Sequence, residues 1–344
     1  ISSNGTPGNT GSAGTGGNGG NGGNGGNGAA GDATTPDGGT GGAGGNGGAA
    51  GGVGKAGTGG VGGNGGAGFG SGLVVTATVA VGDGPRGLAV DSTGASVYVA
   101  DQGSNRVSVI DAATNTVTAT WSASGQLNRP SGVAFGGPDS RIYITNNNAF
   151  GNVAELDTNG NLVTTIPVGN NPLGVAVNNT DLFAVVAGDA KLAQLQLTSP
   201  FGAALIPVGT QPQYVALNPT GTRAYVSNLL SDSVSEIDNA TKTVAATIPV
   251  SSPGGLVVSP DGSRLYVTNG LTNTVSVIDT ATRAVTATIA VGDGPNAVAV
   301  NPAGTTLFVT NDGGDSVSVI DTATNTVTDT LTVGDSPIWV AVNP

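Results

Sequence analysis

The chain contains no cysteine, no methionine and no histidine. Without cysteine there are no disulfides and no thiol chemistry. Without histidine the commonest general base and transition-metal ligand is missing. Both absences point away from an enzyme and from a metal centre, and no cofactor is expected. Charged residues are scarce at 9% and aromatic residues at 4%, and the basic ones are scarcest, with 10 Lys and Arg against 22 Asp and Glu for a net charge of −12. A phosphate backbone would be repelled by that balance, so nucleic acid is not an expected partner. No apolar run approaches the roughly 18 residues that span a bilayer. The chain opens at Ile1 without a charged and then apolar leader, so no signal peptide is expected within it and it reads as a fragment.

What is abundant is glycine, and it is concentrated at one end. Of the first 72 residues 35 are Gly, against 27 of the following 272. The core of this region is a Gly-Gly-X triplet, as in Gly16 to Asn18, Gly38 to Gly48 and Gly59 to Gly68. A left-handed extended helix of three residues per turn would align Asn, Ala, Thr or Val along one edge and leave two glycine edges for close approach of neighbouring chains. A flexible glycine-rich linker fits the composition equally well. With only Pro7 and Pro36 present the region is not collagen, and Asp32 and Asp37 do not fall in the pattern of a calcium-binding roll.

From residue 73 a different repeat begins. A proline opens each unit, at Pro85, Pro130, Pro172, Pro212, Pro253, Pro295 and Pro337, with spacings of 45, 42, 40, 41, 42 and 42. Each unit holds four short runs rich in Val, Ile, Thr or Tyr, bounded by Asn, Asp, Gly or Pro, which predicts four antiparallel strands. The second run reads VYVAD at Val97, IYITN at Ile142, AYVSN at Ala224, LYVTN at Leu265 and LFVTN at Leu307, with LFAVV at Leu182 as the outlier. The third reads VSVID at Val107, Val275 and Val317, VAELD at Val153 and VSEID at Val234. One such sheet buries too little apolar surface to offset its backbone ordering and must stack on its copies.

The triplets of residues 1–72 resemble the glycine-rich region of the mycobacterial PE-PGRS proteins, and residues 73–344 resemble the YVTN repeats of β-propellers. The first resemblance implies polyglycine-II-like helices, export by a type VII secretion route, and display at the cell surface or outer envelope, or secretion. The second implies an all-β, seven-bladed propeller. Its closing blade is incomplete, because Leu73 to Val81 matches an outermost strand and Ile338 to Val342 an innermost one. The expected domains are therefore 1–72, glycine-rich, and 73–344, propeller. Some YVTN-like propellers are lactonases. The missing histidine and the lack of a clustered Glu-Asn-Asp set argue against that activity here.

Candidate site residues come from positions that the repeat brings to the mouth of the channel or that break its consensus. The turns before the inner strands carry Asp83, Asp293 and Asp335, and the loops after the second strands carry Asp101, Asp189, Asp232, Asp312 and Asp315. Asp before Gly-Pro also has a plain turn role. The Asp ending each third strand, such as Asp111 or Asp279, reads as a structural cap. Tyr214 and Trp339 replace the Gly or Ala found near the start of the other inner strands, where aromatics would stack on a flat ligand, and Arg86 lies beside that position. Glu155 and Glu236, the only glutamates, replace a third-strand Val and are expected in neighbouring blades, too far apart to share a proton. The sum is a non-enzymatic, monomeric, surface or secreted protein in which a glycine-rich stem displays a propeller for a protein or glycan partner, as in host interaction. The alternatives are a lactonase-like hydrolase and a purely structural envelope component.

Overall fold

The computed structural model describes residues 73–197 and 203–344. The glycine-rich region, with its expected polyglycine-II helices, lies outside the described residues. Among those described there is no α-helix. The described residues form 24 strands and three single-turn 3-10 helices. None of its helices is long and apolar enough to cross a membrane.

The strands make six four-stranded antiparallel sheets, each in simple sequence order. Blade 1 spans 85–121, blade 2 130–169, blade 3 172–207, blade 4 212–249, blade 5 253–290 and blade 6 295–332. Inner strands of successive blades lie side by side, which arranges the sheets as a propeller. The second and third strands are apolar on both faces because each blade is covered twice. In blade 5, Leu265, Tyr266, Val267 and Thr268 are all buried. Outer strands alternate instead, leaving Val117, Val163, Val244, Val285 and Val327 exposed.

The hydrophobic core is a series of inter-blade clusters. The aromatic residue of each second strand inserts against the next blade. Tyr98 packs with Ile142, Tyr143 with Leu182, Phe183 with Ala224, Tyr225 with Leu265, and Tyr266 with Leu307. None of these five clusters joins blade 6 to blade 1. Phe308, the sixth aromatic in the series, is only half-buried, and so is Val97 on the facing side of blade 1, whereas its counterparts Ile142, Leu182, Ala224, Leu265 and Leu307 are fully buried.

Two short segments lie outside the six blades. Residues 73–81 and 337–344 form no strand among the described residues. The expectation that they form strands is corrected to that extent. The C-terminal segment nevertheless enters in the register of the repeat. In blades 1, 4 and 5 the loop after the second strand clamps the residue before the next proline through a side-chain acceptor: Asn105 Oδ1 accepts from Arg129 N at 2.7 Å, Asp232 Oδ1 from Ser252 N at 2.7 Å, and Asn273 Oδ1 from Gly294 N at 3.0 Å. Asp315 Oδ1 accepts from Ser336 N at 2.8 Å, so the C-terminal segment is entered through the same clamp. At its far end Asn343 Nδ2 donates to Gly94 O of blade 1 at 3.2 Å.

The residue before each proline is left-handed, with φ of 53° at Arg129, 50° at Asn171, 45° at Ser252 and 51° at Ser336. That conformation costs a non-glycine residue roughly 1–2 kcal/mol. A hydrogen bond to a carboxylate is worth about 1.5–3 kcal/mol, enough to offset it where the acceptor is Asp232 or Asp315.

The glycine two residues after the opening proline sets the spacing at the hub. A Cβ on Gly87 would fall inside the contact distance of Ser131 O, and one on Gly132 inside that of Leu173 O. Neither obstacle is a flexible side-chain tip, so the strands themselves would have to separate. Gly132→Ala is expected to lower stability by about 1–3 kcal/mol, the usual cost of overpacking a tight interior. Urea unfolding of the two proteins checks this, and an unchanged midpoint would show that the inner strands are not held at this distance.

Candidate functional site

The residue that follows the opening proline faces the channel in every unit. Arg86, Ser131, Leu173, Gln213, Gly254, Asn296 and Ile338 all line one cavity of about 300 Å³. Its wall thus takes one residue from each of the six blades and one from the C-terminal segment. The next position along the strand is glycine or alanine in five units, which leaves room at the hub, and aromatic in the other two. Tyr214 and Trp339 fill that room from opposite sides, with ring centroids 4.9 Å apart and planes inclined by 37°. Tyr214 also donates its hydroxyl hydrogen to Asn296 Oδ1 at 2.6 Å.

Two charges border this aromatic pair. Arg86 and Asp312 both line the cavity, and neither has an ion pair or side-chain hydrogen bond among the described residues. Their fields act on the Tyr214 phenol in opposite senses, Arg86 favouring its ionised form and Asp312 opposing it. Burial outweighs both, holding the phenol well above its ordinary range and therefore protonated. The mouth accordingly offers a free guanidinium, a free carboxylate, a neutral phenol donor and an aromatic wall. That set combines a base with a stabiliser for developing negative charge.

The other acids expected at the mouth are occupied by the frame. Asp83 is exposed and binds the loop of its own blade through its backbone, donating to Ser104 Oγ at 2.8 Å and accepting from Gly103 N at 2.9 Å. Asp293 Oδ1 accepts from Asn273 Nδ2 at 3.0 Å, Asp189 holds Asn170, and Asp335 is exposed beside the clamped Ser336. Asp101 is buried against Ser108 and Arg106. None of these lines the cavity. The acids ending the third strands cap the turn that follows, as Asp279 does by accepting from Thr282 N at 2.7 Å, and those hydrogen bonds hold its carboxyl below the ordinary range.

The two glutamates are not in neighbouring blades, as the repeat phase was read to imply. Glu155 is in blade 2 and Glu236 in blade 4, with Gln194 of blade 3 between them. Both are buried away from the mouth. Glu236 is a bridge between blades, 2.6 Å from Arg283 Nε of blade 5 and 3.3 Å from Arg223 Nε of its own blade. Arg223 reaches Asp238 as well. Glu155 has a weaker partner, Arg141 at 3.6 Å.

Sequence reasoning found Arg86, Tyr214 and Trp339, which the structure brings together, and counted Asp312 only as one of many acids. It missed Ser131, Gln213 and Asn296. The signal for these was the register itself, since each stands one residue after an opening proline.

Against known proteins, residues 180–342 match the family model described as Lactonase, 7-bladed beta-propeller. That stretch includes Tyr214, Asn296, Asp312 and Trp339. Among solved structures the chain is similar to Kuenenia stuttgartiensis hydrazine synthase (21% identity, TM-score 0.63, covering 72% of this chain and 80% of that one). It is also similar to a streptogramin B lyase (17%, TM-score 0.64, 75% and 87%) and to virginiamycin B lyase from Staphylococcus aureus (15%, TM-score 0.60, 75% and 85%). No curated protein sequence matches. The expectation that the chain is not an enzyme is overturned by the lactonase match, with the lyases as structural neighbours. Its premise, that a missing histidine removes the base, left aside the carboxylates, of which Asp312 lines the cavity.

Glu155 provides a check on the frame apart from the mouth. Burial raises its pKa, outweighing the Arg141 charge that lowers it. An acid whose folded pKa lies above its unfolded value binds protons better when folded, so its penalty is present at neutral pH and relieved as pH falls through the folded value. Glu155→Gln is therefore expected to be more stable than the parent at pH 7, with the difference shrinking towards pH 4. Urea midpoints across that range test it, and a difference that grows on acidification would contradict the assignment.

Proposed function

We propose that the propeller is an enzyme that opens a cyclic ester in its channel mouth. The observation that carries this reading is that the lactonase match covers the stretch supplying Tyr214, Asn296, Asp312 and Trp339 to the cavity, where they meet the unpaired Arg86. Asp312 takes a proton from water as the water oxygen adds to the ring carbonyl carbon, and the carbonyl oxygen becomes an oxyanion against Arg86. Collapse of that adduct breaks the bond to the ring oxygen, which leaves with the proton held by Asp312, giving the open hydroxy acid. Tyr214 and Trp339, in contact with each other, form an aromatic wall beside the ring, and the protonated phenol stays bound to Asn296.

The same reading takes the ring as sevenfold, with Ile338 to Val342 as the inner strand and Leu73 to Val81 as the outer strand of a seventh blade. The clamp on Ser336, the contact of Asn343 with Gly94 and the half-buried Val97 and Phe308 support it. The resemblance of residues 1–72 to PE-PGRS glycine-rich regions supports export and surface display of the enzyme.

Incubation of the protein with a panel of γ- and δ-lactones, followed by mass spectrometry, tests the activity. Hydrolysis adds the mass of one water to the substrate, whereas ring opening by elimination adds none. Asp312→Asn is expected to lower turnover by about 10²–10⁴-fold, the range for loss of a general base. Arg86→Ala is expected to lower it by about 10²–10³-fold as an oxyanion donor. Ring opening of no lactone, or full activity in Asp312→Asn, would overturn the proposal.

A further inference from the structure

The mouth has two unlike sides. Blades 6 and 1 contribute Asn296, Asp312 and Arg86. Blades 3, 4 and 5 contribute the apolar Leu173, Leu229 and Pro253 beside Gln213, Tyr214 and Ser252. The apolar side continues onto the rim through the loops between second and third strands. Leu230, next to the cavity-lining Leu229, is 68% exposed, and Leu271, next to the cavity-lining Gly270, is 84% exposed. At the corresponding position blades 1, 3 and 6 carry Gly103, Gly188 and Gly313, so these leucines are departures from the repeat and not part of its frame. Leaving two leucines in water on adjacent blades, beside an apolar cavity wall, gives no folding benefit.

We infer that the substrate is an amphiphilic lactone: its ester ring sits against Arg86 and Asp312, and an alkyl substituent runs out over Leu229, Leu230 and Leu271. This rests on the cyclic-ester reading for the identity of the head group, while the recognition of an apolar tail rests on the rim alone. One side of an alkyl chain lying on such a rim is covered. Each added methylene then tightens binding by about twofold, half in free-energy terms of the roughly fourfold expected from full burial.

The experiment is a chain-length series of γ-alkyl lactones from methyl to octyl, with binding read by stopped-flow quenching of tryptophan fluorescence before turnover. Trp339 lies in the cavity and reports on it, whereas Trp121 packs against Tyr98 of blade 1 and gives a constant background. The dissociation constant is expected to fall by about twofold per methylene. That slope is expected to flatten in Leu230→Ser/Leu271→Ser, to persist in Leu230→Ile/Leu271→Ile, and to persist in Phe150→Ser, which removes a 93% exposed apolar side chain from blade 2. A flat series in the parent protein, a slope that survives the double serine change, or no binding of any lactone would overturn the inference. A chain-length slope without ring opening would leave recognition of the tail standing and overturn the hydrolytic reading instead.

Discussion

The structure depends on how closely the inner strands approach at the hub. Six strands converge there with glycine or alanine two residues past the opening proline in all but one, and the missing Cβ lets each strand lie against the backbone carbonyl of the next. A Cβ on Gly174 would stand 2.8 Å from Gln213 O and one on Gly255 2.7 Å from Asn296 O. The close approach fixes the blade angle, and the angle determines how far each second-strand aromatic reaches into its neighbour. It also leaves a narrow channel. Two aromatic substitutions at the constrained position, Tyr214 and Trp339, are enough to furnish it, and their side chains meet across it.

Charge is distributed by the same logic. In a chain this acidic and this poor in bases, most carboxylates serve the frame by accepting backbone N–H groups in turns, clamps and caps. Those hydrogen bonds stabilise the ionised form, which is why Asp111, Asp157, Asp189 and Asp238 all titrate low. Of the seven described arginines, five are committed: Arg106, Arg141, Arg223 and Arg283 to carboxylates, and Arg264 to the carbonyl of Thr322 in the next blade. Arg86 and Asp312 stand apart as charges that bond to nothing in the frame and share a cavity. Arg86 is exposed and Asp312 only half-buried, so both charges stay hydrated and remain available to a ligand in the cavity.

Much of this was legible in the sequence. The proline spacing and the second-strand motif identify four strands per unit and stacked sheets, because tight turns and two-sided burial each demand particular residue types at fixed intervals. The role of Asp in turns and caps was legible for the same reason, since a short acceptor side chain beside a backbone N–H is a local arrangement. The mouth was legible only in part. Tyr214 and Trp339 stood out against a glycine consensus, but the preceding position varies freely among Arg, Ser, Leu, Gln, Gly, Asn and Ile, and no consensus exists for a functional residue to break. Which acid is unpaired depends on partners distant in sequence, so Asp312 looked like Asp83 or Asp293. The glutamates misled because a polar residue in an apolar strand signals a buried partner as readily as a site, and here Arg283 of the following blade is that partner.

The gap between blades 6 and 1 bears directly on the site. Ile338 and Trp339 reach the cavity from a segment whose hydrogen bonds to the rest of the ring include the clamp at Ser336 and the contact of Asn343 with Gly94. A ligand packed against Trp339 gains that contact only when the segment is seated, so its binding free energy adds to the stability of the seated state. Closure and ligand binding are then a single linked equilibrium. Whatever covers Phe308 and Val97 strengthens binding in the mouth without touching the ligand, and a ligand in the mouth holds the C-terminal segment in its place beside blade 1.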